Sequence, residues 1–162
     1  MTYRKALSAV ALLGVLGTIG SFVLQYMFGM NPCPLCILQR VAIIATGLAA
    51  LLALLLPTAK KGGRLLAALW VSLPAAWGLG VAVYQLWLQS LPLSDRPSCG
   101  APWTFRLRDW PLFDWWEPVV RGFGDCGVSD SVLGVPLPVW SVLMFGAVLL
   151  WLWVMWFKLR EK

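Results

Sequence analysis

The 162-residue chain contains no histidine, and acidic side chains are scarce, seven in all. Without imidazole there is no ordinary general base near neutral pH, and a tetrahedral zinc site would have to take all four cysteines. Only 12% of the residues are charged, against 60% hydrophobic, and 11 are tryptophan. That composition excludes a water-soluble domain and describes an integral membrane protein. No low-complexity segment or internal repeat is present. What remains is a small set of polar and sulfur-bearing residues in an apolar chain.

A helix needs about 20 largely apolar residues to cross a bilayer. Four stretches qualify: 6–28, 37–56, 65–88 and 135–157. Together with connections at 29–36, 57–64 and 89–134 they use the whole of 1–162, which predicts a single domain: an all-α integral membrane protein built as a four-transmembrane-helix bundle. Arg4 and Lys5 give the first stretch a signal-like start. Its apolar run of about 23 residues is nevertheless longer than the 7–15 of a cleaved signal peptide, so it is read as a retained span.

The basic residues set the orientation. Arg4, Lys5, Lys60, Lys61, Arg64, Lys158, Arg160 and Lys162 fall on one side if every span crosses. Arg40, Arg96, Arg106, Arg108 and Arg121 fall on the other, diluted by six acidic residues. The positive-inside rule places both termini in the cytoplasm. The net charge of +6 is then a topology signal rather than a nucleic-acid footprint.

All four cysteines, Cys33, Cys36, Cys99 and Cys126, consequently face outward, into a compartment where disulfides persist. Four cysteines allow three pairings. Two static staples are one reading, credible for Cys99 and Cys126, which would close a long loop. It suits Cys33-Pro34-Leu35-Cys36 poorly, because closing so short a ring restrains little. A thiolate carrier for a soft metal is another reading, but Cys99 and Cys126 form no second close pair and an oxidising compartment consumes thiols. Pro34 suits a first helical turn, which puts Cys36 among unpaired N–H groups at the positive end of a helix dipole. Arg40 lies one turn on, at i+4, on the same face. Both features favour a thiolate at Cys36. Arg40 itself has two readings, a snorkelling interfacial anchor or a fixed cation for charge developing on a quinone oxygen.

Cys33-Pro34-Leu35-Cys36-Ile37-Leu38-Gln39-Arg40 resembles the C-x-x-C-x-x-x-R segment of the disulfide bond formation protein B (DsbB) family of bacterial inner-membrane enzymes. Span order, the short basic link, the long second outer loop with Cys99 and Cys126, and Leu133-Gly134 and Pro138-Val139-Trp140 before span four extend the resemblance over the whole chain. It implies a thiol:quinone oxidoreductase with its cysteines in the periplasm. The partner would be a DsbA-like thioredoxin-fold protein and the acceptor a membrane quinone, ubiquinone or menaquinone. By the same resemblance Cys99 would form the mixed disulfide with the partner, and Cys126 would be its loop mate, pairing transiently with Cys33. Cys36 would contact quinone, with Arg40 beside the ring.

The physical reading points the same way. Exchange between proteins needs accessible sulfur on a mobile approach, which the loop 89–134 offers, whereas quinone chemistry needs a site at membrane depth, which only the CxxC offers. In the long loop, Asp109 as N-cap and Pro111 in the first turn predict a short interfacial helix ended by Pro118. Gly14, Gly17, Gly20, Gly78 and Gly80 are expected to let helices approach closely, and Pro74 to bend span three. A non-enzymatic membrane scaffold with two structural disulfides is the competing function, and a thiolate metal carrier the third.

Overall fold

A computed structural model describes residues 2–128 and 130–160. Met1, Ser129, Glu161 and Lys162 lie outside the described residues, and with them the last of the basic residues expected after span four. Four helices are long and apolar enough to cross a membrane: α1 (Tyr3–Tyr26), α2 (Pro34–Ala53), α3 (Lys61–Ser90) and α6 (Leu137–Arg160). Between α3 and α6 lie a 3-10 turn at Leu93–Asp95 and the short helices α4 (Trp103–Leu107) and α5 (Phe113–Val120). A two-stranded hairpin follows, β1 (Ser131–Val132) with β2 (Val135–Pro136). Leu133 and Gly134 both turn through positive φ, 55° and 78°, the geometry that a two-residue hairpin connection requires.

The bundle is apolar outside as well as inside. Leu12, Leu16, Leu48, Leu51, Leu73 and Leu150 point outward, as expected where the surroundings are lipid. The core is built mainly from small residues, among them Ala6, Ala42, Ala50, Ala67, Ala68 and Ala75, with Leu7, Phe145 and Leu152 filling the larger gaps. Small residues let backbones approach and replace the hydrophobic effect with close van der Waals contact. α2 is central, packing on α1 and α3, and α3 packs on α6. The seam between α1 and α6 is thinner.

Of the glycines expected at helix contacts, Gly14 and Gly78 are fully used. A Cβ on Gly14 would lie 2.5 Å from Gly47 Cα, and one on Gly78 would run into the Phe145 ring and Ala42. Gly17 touches Ile43, whereas Gly20 and Gly80 meet open space. α3 runs through Pro74 without ending. Its 30 residues reach about 45 Å at 1.5 Å per residue, well beyond the ~30 Å hydrocarbon core. The surplus carries Gln85, Leu88 and Gln89 to the cysteine-bearing end.

The helix expected to start from Asp109 starts later. Leu112, in the left-handed conformation (φ 59°), is the residue before its first turn, and Asp114 rather than Asp109 sits at the positive end of its dipole. Pro118 lies inside the helix instead of stopping it. In an eight-residue helix the proline deletes a single i to i−4 bond, and the helix end is held by tertiary contacts described below.

Close packing of α1 on α2 predicts that Gly14→Val lowers the thermal midpoint of the detergent-solubilised protein, by the equivalent of about 1–3 kcal/mol for an overpacked contact. Gly80→Val, on an open face, should leave it unchanged. Equal shifts in thermal unfolding would contradict this packing.

Candidate functional site

The first short connection turns directly into α2. Cys33 is the residue before the helix, and its sulfur accepts a hydrogen bond from the Cys36 N–H at 3.2 Å, with Pro34 following at the first helical position. Cys33 is thus both cap and thiol. The Cys36 sulfur lies 2.8 Å from that of Cys33, and both cysteines are free. Hydrogen bonding to Cys36, together with burial, pushes the Cys33 thiol well above the ordinary cysteine range, so Cys33 keeps its proton at neutral pH.

Cys99 and Cys126 are joined as a disulfide, with Cα atoms 6.2 Å apart. This bond packs onto the first pair: Cys33, Leu88 and Cys126 form one buried cluster, with Leu35, Cys36 and Cys99 against it. Backbone contacts bring the two loops together. Gly124 N–H donates to Pro32 O at 3.2 Å and Phe123 N–H to Asn31 Oδ1 at 2.9 Å. A Cβ on Gly122 would collide with Pro32 O, and one on Gly124 with Asn31 O. Farther out, Trp103 Nε1 donates to Pro34 O at 3.0 Å. Arg96 donates to the carbonyls of Leu91, Gln89 and Gly127, and Gln89 Nε2 to Cys126 O, all at 2.9–3.1 Å. A shallow cavity of about 390 Å³ lies beside the disulfide.

Arg40 is turned into the protein, 4% exposed, which is not the posture of a snorkelling anchor. Its Nη1 donates to Val119 O at 3.2 Å and its Nη2 to Ser21 O at 3.4 Å, and its guanidinium lies 4.7 Å from the Phe22 ring centre. Neither ion pair among the described residues includes it, and its Nε has no partner. The end of α5 supplies acceptors here. Tyr26 Oη donates to Pro118 O at 3.3 Å and Gln25 Nε2 to Arg121 O at 3.0 Å, so last-turn carbonyls that a helix leaves unpaired are satisfied from α1 and α2. Between α1, α2 and α6 opens a cavity of about 280 Å³, whose wall includes Cys36, Gln39, Arg40, Gln25 and Met144.

Residues 3–155 match the family model described as "Disulfide bond formation protein DsbB". A curated "Disulfide bond formation protein B" of Neisseria meningitidis serogroup A is 52% identical over 158 residues, covering 98% of each chain. The protein so named in Chromobacterium violaceum is 40% identical over 141 residues, 85% of this chain and 84% of that one. The chain belongs to the DsbB family. Membership makes it a multi-pass membrane protein of disulfide formation, with an oxidoreductase role.

All five residues picked from this DsbB-family sequence therefore gather at one end of the bundle. Sequence reasoning missed Gln85, a fully buried amide of α3 whose Nε2 lies 3.3 Å from Cys33 Sγ and 3.4 Å from Cys36 Sγ. It also missed Gly122 and Gly124. The signal for Gln85 was available, a lone amide within an apolar span, whereas the glycines carry no local signal.

With the inner pair reduced, brief treatment at neutral pH with a small alkylating agent should modify Cys36, which is partly exposed, and spare Cys33, which is 2% exposed. Peptide mass mapping reads this, and equal modification of both thiols would contradict it.

Proposed function

We propose that the protein is a thiol:quinone oxidoreductase of a bacterial inner membrane that makes disulfides de novo. The cysteine-bearing end faces the periplasm, both termini face the cytoplasm, and the aromatic surfaces of α4 and α5 lie in the membrane interface, where Trp110 and Trp115 are well exposed. The donor is a DsbA-like thioredoxin-fold dithiol. Its thiolate attacks Cys99, breaking the bond to Cys126 and forming a mixed disulfide. Its second thiol then closes the partner's disulfide and leaves Cys99 and Cys126 reduced. Exchange with a Cys33–Cys36 disulfide, beginning between Cys126 and Cys33, restores the outer bond and leaves the inner pair as a dithiol. The pairing in the structure corresponds to that stage.

The observation that carries this reading is the unpartnered Nε–H of Arg40 in the wall of the cavity that Cys36 also lines. A buried donor without an acceptor is costly. A quinone ring would supply that acceptor, and about 280 Å³ is near the lower end of small-molecule sites, ~300–1,000 Å³. Gln25 Oε1 is likewise buried without a partner. Arg40 would donate to a quinone oxygen, Gln25 Oε1 could accept only from a hydroxyl of the reduced quinol, and Met144 would line the apolar side. Bound quinone supplies an acceptor for two electrons and two protons, the pair of hydrogens removed from the donor dithiol.

The Arg40 guanidinium lies in a site of low polarity, where a fixed cation stabilises developing negative charge more strongly than in water. Cys36 presents its sulfur at a helix N-terminus, and Cys33 closes onto it.

The test is quinone reduction by the purified protein, followed optically with a reduced DsbA-like donor and either ubiquinone or menaquinone analogues. Wild type should turn over, and Cys36→Ser and Cys99→Ser should not. Arg40→Ala should raise the quinone KM by about tenfold or more, as loss of a charged hydrogen bond implies. No turnover with any donor and quinone, together with cysteines that resist exchange, would favour a scaffold with structural disulfides.

A further inference from the structure

Gln85 is fully buried on α3, facing the start of α2. One amide group reaches both sulfurs of the inner pair, at 3.3 Å for Cys33 and 3.4 Å for Cys36, within the range of hydrogen bonds to sulfur. An NH2 group has two protons, one for each sulfur. Its oxygen accepts from Gln39 Nε2 at 2.6 Å, and Gln39 is itself 4% exposed. That bond fixes which way Gln85 faces. With its oxygen taken by Gln39, the NH2 group is turned to the sulfurs. A longer contact, 3.8 Å from Cys36 Sγ to Gln85 Oε1, is available to a protonated Cys36. The chain Gln39–Gln85–sulfur therefore links the wall of the Arg40 cavity to both members of the pair.

A thiol sulfur accepts weakly from these N–H groups, and a thiolate much more strongly. A disulfide sulfur carries no charge and accepts weakly, so oxidation of the pair removes the strong bond to a Cys36 thiolate while the amide stays buried, at the cost that unmet polar groups incur. The network is satisfied best when Cys33 and Cys36 are reduced. We propose that Gln85 is a catalytic residue that stabilises the reduced Cys33–Cys36 pair and so draws electrons inward from Cys99–Cys126, with Gln39 as the positioning residue that orients it. This rests on the reading of the inner pair as redox-active. No charge or proton is added by Gln85. The electrons come from the partner dithiol and the hydrogen bonds change only how readily the inner disulfide accepts them.

The test uses the full-length protein in detergent with Cys99→Ser and Cys126→Ser, so that the inner pair alone reports. That protein is equilibrated against graded ratios of reduced and oxidised dithiothreitol, and free thiols are counted by alkylation and mass. Gln85→Leu should shift the equilibrium toward the disulfide by about tenfold, a potential about 30 mV more negative for a two-electron couple. Gln39→Leu should shift it in the same direction by less. Gln85→Glu, which keeps the length of the side chain and removes the NH2 group, should shift it at least as far as Gln85→Leu. It decides the matter together with Gln39→Leu if the leucine variant does not fold. A constant within threefold of the parent in the folded Gln85 variants would overturn the proposal. A parent pair that never exchanges with the couple would instead overturn the redox reading of Cys33 and Cys36.

Discussion

The peptide N–H of Gly124 bonds the carbonyl of Pro32, and through that contact two loops nearly a hundred residues apart share one site. Gly122 and Gly124 have no Cβ, so their backbone lies directly on Asn31 and Pro32. The Phe123–Asn31 bond holds the register. Two residues on, Cys126 is delivered into the cluster with Cys33 and Leu88. A side chain at either glycine would push the long loop away, separating the outer disulfide from the inner thiols. Arg96 and Gln89 hold the same limb of the loop from the α3 side through backbone carbonyls.

A second constraint runs through the apolar bundle itself. Polar groups within it need partners close at hand. Arg40 finds carbonyls of Ser21 and Val119 and the face of Phe22, Gln39 and Gln85 find each other, and Gln85 finds the sulfurs. These residues form a polar column beside Cys36, with the cavity on the side toward α1 and α6. α5 is part of this column, because its C-terminal carbonyls receive Tyr26, Arg40 and Gln25. The long loop thus presents the outer disulfide and also fixes the cation beside the inner pair.

Much of this was legible in the sequence because hydropathy is a local property. The four apolar stretches, Pro34 ahead of Cys36, and Arg40 one turn later can each be read from neighbours along the chain. What escaped depends on contacts between distant segments. Gly122 and Gly124 matter only because Asn31 and Pro32 lie against them. The late start of α5 goes with the left-handed Leu112, and its far end is held by tertiary donors from α1 and α2, none of which Asp109 foretells. Two of the five expected small-residue contacts failed for the same reason, since Gly20 and Gly80 lie on helix faces with no neighbour. Gln85 is the exception, an amide in an apolar span that its own residue type could have flagged.

If the two cysteine pairs form the proposed relay, they are joined where Cys126 meets Cys33. The direct measurement is disulfide trapping in the full-length protein carrying Cys36→Ser and Cys99→Ser, under mild oxidation, with peptide mapping of the product. Rapid, near-complete formation of a Cys33–Cys126 bond within one chain is the predicted result. Two thiols that stay free, or that link only between chains, would contradict it.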